Sequence, residues 1–248
     1  MLPYGRQSVD ENDINAVVEA LRSDWLTTGP RVEEFEEAFA AACGARYAVA
    51  VSNGTAALHA AAYAARIGSG DEVVTTPMTF AATANCIRYV DATPVFADVQ
   101  PCTLNIEHRN ARAALTPRTK AVICTDYAGQ PCDYEELAGL CDERGLVLID
   151  DAAHALGATY KQRRIGSIAH MTTFSLHPVK HVTSGEGGVV TTNDLAYAAA
   201  VRTFRNHGIT QDYRERERLG SWWYEIHDLG FNYRITDFQC ALGGSQLK

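Results

Sequence analysis

The sequence predicts an α/β fold, with a mainly parallel sheet held between helices. Three observations predict it. Short β-rich runs alternate with helical stretches along most of the chain, the pattern of strand–helix–strand units. The run Leu146 to Ile149 is apolar on both faces, as a strand buried in a parallel sheet requires. The length of 248 residues suits one large α/β domain, with no low-complexity linker and no internal repeat to divide it.

The elements follow in order. Ser8 and Glu11 have capping-box spacing and predict the start of a first helix. Ile14, Val17, Val18 and Leu21 then give it one apolar face. A second helix opens at Pro30, burying Val32, Phe35 and Phe39. Its Glu33, Glu34, Glu36 and Glu37 are expected to form a solvated acidic face near the helix N-terminus. Strands are expected at Tyr47 to Val51, Glu72 to Thr76, Pro94 to Ala97 and Ala121 to Thr125. Others follow at Leu146 to Ile149, Thr172 to Ser175 and Val189 to Thr192. Helices are expected between most of them, at Thr55 to Arg66, Phe80 to Tyr89, Glu107 to Leu115, Tyr134 to Arg144 and Leu195 to Arg205. A last helix starts at Thr236 and runs toward Lys248 without a cap, which reads as an interruption.

Composition narrows the function. With 22 basic and 30 acidic residues the net charge is −8, so a broad basic face for nucleic acid or anionic membrane is not expected. No stretch reaches the roughly 18 apolar residues of a membrane span, and Met1 to Arg6 has no signal-peptide pattern. The seven cysteines are scattered and form no C-x-x-C, which predicts reduced thiols in a cytoplasmic protein. His177 and His181 stand four apart, but Pro178 disfavours one regular helix there, so no metal site is expected.

In parallel α/β sheets ligands sit at the carboxyl ends of the strands, and four such ends stand out. Ser52-Asn53-Gly54-Thr55 leads from a strand into an Ala-rich helix, a place for a phosphate or simply a capped turn. It carries neither G-x-G-x-x-G nor a Walker lysine. Asp150 and Asp151 end an apolar strand just before His154. A carboxylate there needs a partner, such as a protonated ring nitrogen, or it caps the next turn. Lys180 follows the strand ending at Ser175, in surroundings poor in charge and rich in small residues. Enclosure would depress its pKa and free its amine to attack a carbonyl. Phe80, just past Thr76-Pro77-Met78-Thr79, either stacks on a flat ring or joins the core.

Taken together, the segments resemble the DegT/StrS family of sugar aminotransferases. The resemblance rests on Trp25-Leu26-Thr27-Thr28-Gly29-Pro30, Asn53-Gly54-Thr55-Ala56-Ala57-Leu58, Pro77-Met78-Thr79-Phe80 and Asp151-Ala152-Ala153-His154, followed by His177-Pro178-Val179-Lys180, Gly185-Glu186-Gly187-Gly188 and Gly230-Phe231-Asn232-Tyr233-Arg234. These stand in the family's order and span essentially the whole chain.

The resemblance implies the fold type I large domain of aspartate aminotransferase-like enzymes over residues 1–248, with an N-terminal helical arm over about 1–44. The family continues into a smaller C-terminal domain, which residues 1–248 are not expected to include. It implies pyridoxal 5'-phosphate as cofactor. Lys180 matches the lysine that forms the Schiff base, Asp151 the partner of the pyridine nitrogen, and His154 the residue beside the phenolic oxygen. Phe80 matches the stacking aromatic, and Gly54, Thr55 and Ser175 the phosphate cradle. Asn232 matches an asparagine that reaches the cofactor of a second subunit, implying a homodimer; Tyr4 and Arg234 are carried over as substrate contacts. The reaction implied moves an amino group from glutamate to the C4 ketone of a UDP-linked 4-keto-6-deoxy-N-acetylhexosamine. The alternatives are another 4-keto nucleotide sugar of the perosamine type, or a non-catalytic remnant. A subset of the family has His in place of the lysine and dehydrates its substrate; Lys180 favours transamination.

Overall fold

The computed structural model describes residues 5–210 and 213–248. The chain runs α1 (Glu11–Arg22), α2 (Pro30–Cys43), β1 (Tyr47–Val51), α3 (Gly54–Ala64), β2 (Glu72–Thr75), α4 (Ala81–Tyr89), β3 (Thr93–Phe96), α5 (His108–Ala113) and β4 (Thr119–Thr125). It continues through α6 (Tyr134–Arg144), β5 (Val147–Asp151), β6 (Thr159–Tyr160), β7 (Arg163–Arg164), β8 (Met171–Ser175), β9 (Gly188–Thr192), α7 (Leu195–Phe204), α8 (Tyr213–Arg218) and α9 (Asp237–Gln246).

Seven strands form one sheet in the order β1-β9-β8-β5-β4-β2-β3. Only β9 is reversed, pairing antiparallel with β1 and β8, while the other neighbours are parallel. The sheet is therefore mainly parallel, as expected. Side chains alternate across β5: Leu148 enters the cluster formed with Phe35, Phe39, Leu137 and Phe174, and Ile149 enters the one formed with Leu58, Ile87, Val201 and Phe204. Helices on both faces follow from this double burial. Asp150 and Asp151, next along the strand, inherit opposite faces.

The seven sheet strands fall where expected, to within two residues at each end. The two-residue pair β6–β7 and the short α8 were not anticipated; segments so brief carry no periodicity to read. The first helix differs in detail. Its cap is Asp10 with Asp13, not Ser8 with Glu11. The same reciprocal chemistry operates two residues later, because Asp10 is the last residue in extended conformation. Its apolar stripe is not core: Ile14 is 46% and Leu21 54% exposed, and Asp13 and Ala20 are the buried positions. Helix α1 lies against α9, and α9 against α2, so this layer ends in an open apolar face.

Glu36 is the clearest correction. It is buried rather than solvated. Its carboxylate accepts the Ala50 N–H at 2.9 Å and pairs with Arg205 at 2.5 Å and Arg202 at 3.4 Å, joining α2 to β1 and α7. Glu36→Ala would leave the buried Ala50 N–H without its acceptor and two guanidiniums without their counter-ion, with only the Ala48 and Ala50 carbonyls to accept from them. We expect it to lower unfolding stability by about 3 kcal/mol in urea titration, against a few tenths for Glu37→Ala on the open side. Equal losses at the two positions would refute the assignment.

Among the described residues, no helix is long and apolar enough to cross a membrane.

Candidate active site

Strands β1, β2, β4, β5 and β8 end at one edge of the sheet, and an open cleft of about 1530 Å³ lies there. At its floor is Asp151, the last residue of β5 and buried. One carboxylate oxygen accepts from the Thr83 hydroxyl at 2.6 Å and the other from the Ala153 N–H at 3.3 Å. Burial pushes this carboxyl above its ordinary range, while those hydrogen bonds and the nearby Lys180 and His154 pull it back.

Lys180 reaches the same cleft from the loop after β8. The loop is pinned to the strand end, with the Leu176 N–H on the Gly187 carbonyl at 2.8 Å and the Thr183 hydroxyl on the Leu176 carbonyl at 3.0 Å. Burial lowers the Lys180 amine below the ordinary lysine range, opposed by Asp151. Its Nζ lies 2.5 Å from His154 Nε2. An ammonium has no lone pair, so it donates and the imidazole accepts. Burial and the Lys180 charge keep His154 neutral to lower pH than usual, which suits that role.

At the cleft's other side, α3 begins with Asn53 as cap, its side chain accepting the Ala56 N–H at 2.8 Å. The N–H groups of the first turn, on Gly54 and Thr55, have no acceptor within the helix and line the cleft together with Ser175. Two glycines make the approach possible. A Cβ on Gly54 would stand 2.9 Å from the Ser175 Cβ, and one on Gly188 would stand 2.3 Å from the Asn53 carbonyl oxygen. Phe80 caps α4 and stands over the cleft 78% exposed, so it is not a core aromatic.

Six of the expected positions therefore converge with Lys180 on one cleft: Gly54, Thr55, Phe80, Asp151, His154 and Ser175. Two do not. Asn232 is exposed and is not among the residues lining the cleft, although its neighbours Phe231 and Tyr233 are. Arg234 lines a separate depression beside Arg202 and Arg205, donating to the Asn206 side-chain oxygen at 2.9 Å. Tyr4 lies outside the described residues.

The structure adds residues that the sequence did not single out. Thr125, Thr79 and Thr83 form a hydroxyl chain to Asp151. The available signal was the i, i+4 spacing of Thr79 and Thr83 at a helix start. At the cleft wall just past β4, Asp126 accepts the Cys132 N–H at 2.7 Å and the Tyr134 hydroxyl at 2.9 Å. Burial raises this carboxyl to about 6.

Known proteins share this arrangement of chain. Over all of its length the chain is 46% identical to the spore coat polysaccharide biosynthesis protein SpsC of Bacillus subtilis, covering 64% of that protein. It is 41% identical to the GDP-perosamine synthase of Caulobacter vibrioides, with 97% of this chain and 62% of that one aligned. It thus spans just under two thirds of the length of these curated relatives. Among solved structures, Spr1654 of Streptococcus pneumoniae in its PLP-form superposes with a TM-score of 0.92 at 32% identity, covering 99% of this chain and 66% of that one. Helicobacter pylori PseC, an aminotransferase involved in the biosynthesis of pseudoaminic acid, superposes at 0.90 with 34% identity, covering 99% and 64%. The model of the DegT/DnrJ/EryC1/StrS aminotransferase family matches residues 7–248. With the family model matching residues 7–248 and the folds superposing over nearly the whole chain, the chain belongs to the DegT/DnrJ/EryC1/StrS aminotransferase family.

Proposed function

We propose that the chain is the cofactor-binding large domain of a nucleotide-sugar aminotransferase that uses pyridoxal 5'-phosphate, with residues 1–44 as its N-terminal arm. One observation carries this reading: a buried carboxylate, Asp151, and a partly desolvated amine, Lys180, share a single cleft with an exposed aromatic ring, Phe80.

The donor set fits the cofactor. Asp151 would hold the protonated ring nitrogen, a cation suited to a carboxylate that burial otherwise disfavours. Phe80 would cover the ring face. The α3 N-terminus, relieved of a side chain at Gly54, would take the phosphate with Thr55 and Ser175. His154 would stand by the phenolic oxygen. Bound there, pyridoxal phosphate supplies the carbonyl that takes up an amino group and an electron-poor ring that draws off the electrons released between substrates.

The chain's own contribution is placement and proton transfer. Lys180 Nζ, held low in pKa by burial, is a nucleophile when neutral and a proton carrier at the substrate carbon once displaced. His154 Nε2 accepts a hydrogen bond from its ammonium form at 2.5 Å. Asp151 holds negative charge at the cleft floor.

The amino group is assigned to come from glutamate and to reach the C4 ketone of a UDP-linked 4-keto-6-deoxy-N-acetylhexosamine. The likeness to PseC supports this acceptor. A GDP-linked sugar of the perosamine type is the second reading, supported by the 41% identity to GDP-perosamine synthase. The exposed Asn232, which does not line its own cleft, supports a homodimer in which it serves the other copy. Seven free thiols support a cytoplasmic setting.

The test is direct. The chain mixed with pyridoxal phosphate is expected to develop a visible absorption band, and borohydride is expected to fix a mass increment on the peptide holding Lys180. An increment spread over other lysines, or none, would overturn the reading in favour of a non-catalytic remnant. Turnover faster with a GDP-linked than a UDP-linked 4-keto sugar would move the assignment to the second acceptor.

A further inference from the structure

We propose that the hydroxyls of Thr125, Thr79 and Thr83 form a positioning relay that aims the Asp151 carboxylate and fixes the helix start carrying Phe80. The inference deepens the cofactor reading above and rests on it for its role.

The relay has a defined sense. Thr125, at the end of β4, donates to Thr79 Oγ1 at 3.0 Å. The Thr79 and Thr83 hydroxyl oxygens lie 2.6 Å apart, and Thr83 donates to Asp151 Oδ2 at 2.6 Å. Each hydroxyl has one hydrogen. Thr83 spends its own on the carboxylate, so it accepts from Thr79. Thr79 has then spent its hydrogen, so it accepts from Thr125. The whole chain points at Asp151, and it reverses only if Asp151 carries a proton.

The relay also joins three elements. It crosses from β4, through the loop before α4 and the first turn of α4, to the end of β5. Thr125 and Asp151 are register partners in the sheet. Thr79 precedes Phe80, and the Thr83 N–H donates to the Phe80 carbonyl at 3.1 Å. The ring that would cover the cofactor and the carboxylate that would bind its nitrogen therefore hang on one scaffold.

The charge around Asp151 explains why such a device is needed. Burial is the largest influence on it and disfavours the ionised form. Asp126 from the end of β4, Asp150 from the same strand and Cys86 from α4 are within electrostatic reach and add no positive charge. Lys180 and His154 favour ionisation from the cleft side, and the Thr83 hydrogen bond is a larger influence than either. A chain of aligned hydroxyls strengthens each member by roughly 10–30%, so Thr79 and Thr125 reinforce that bond without touching the carboxylate.

Thr83→Val keeps the shape and removes the last donor. It is expected to weaken pyridoxal phosphate binding about tenfold or more, the worth of a hydrogen bond to a charged group. Asp151 must be ionised to bind the ring, so losing the donor also moves the acid limb of the binding profile to higher pH. Thr83→Ser is expected to restore both, and Thr79→Val to weaken binding by a smaller factor. In the cofactor-free chain, carbon-13 titration of the Asp151 carboxyl is expected to shift upward in Thr83→Val. Unchanged affinity would overturn the proposal. So would lost affinity with an unmoved acid limb and an unmoved carboxyl titration, since that is packing alone. If the unaltered chain takes up no pyridoxal phosphate, the cofactor reading fails, and the cofactor-free titration still decides the relay by the same shift or its absence.

Discussion

Lys180→Ala is expected to eliminate the borohydride-trapped adduct and reduce amino transfer by about 10⁴-fold or more, because general acid–base transfer alone is worth roughly 10²–10⁴. The same side chain would also serve as nucleophile. Burial depresses the Lys180 amine, and its ammonium donates a hydrogen bond to a neutral imidazole 2.5 Å away. Among the described residues, no other lysine lines the cleft. Cofactor uptake should fall much less, because Asp151, Phe80 and the Gly54–Thr55 turn are untouched. Equilibrium dialysis with pyridoxal phosphate, beside an assay of amino transfer, separates the two. Turnover within tenfold of the unaltered chain would sink the assignment of Lys180.

The reason Lys180 and Asp151 were legible in the sequence is topological. Buried parallel strands must be apolar, so Leu146 to Ile149 and Ala121 to Thr125 announce themselves, and whatever polar residue follows them lies at the ligand edge. What escaped depends on distant partners. Glu36 looks like one of four solvated acids until α7 brings Arg202 and Arg205 to it, more than 160 residues along the chain. Thr83 looks like an ordinary helix residue until β5 places Asp151 above it. Ile14 and Leu21 follow a helical period faithfully and are still exposed, because periodicity reports a face and not what covers it. The segment from Leu219 to Phe231 behaves alike: Trp222 is 86% exposed and Trp223 and Leu229 are also open, so its aromatic content predicts burial that this chain alone does not supply.

Asp150 and Asp151 separate on the same physics, and their Asn variants should separate as sharply. Asp151 faces α4 and the cleft; Asp150 faces the other side of the sheet, near Cys124 and the Asp126–Tyr134 pair. Its Oδ2 is buried without a hydrogen-bond partner. Burial first, and the Asp126 charge second, hold its carboxyl well above the ordinary range. The folded chain therefore keeps a proton on Asp150 at a pH where the unfolded chain has released it. Stability from this group is fully present below the unfolded carboxyl's pKa of 3.8 and declines as pH rises above it. Asparagine is neutral at every pH, so Asp150→Asn should gain stability at pH 7 by escaping that pH-linked loss. It should gain little at pH 3. Its pyridoxal phosphate affinity should stay within a fewfold of the unaltered chain. Asp151→Asn removes the buried carboxylate at the cleft floor and would leave the protonated ring nitrogen without its proposed counter-ion. Loss of a buried charge partner costs about 3–5 kcal/mol, so affinity should fall by a hundredfold or more. Urea unfolding at the two pH values and dialysis with pyridoxal phosphate read all four quantities. Should Asp150→Asn lose the cofactor while Asp151→Asn keeps it, the roles of the two acids are reversed, and with them the face of β5 on which the ring would lie.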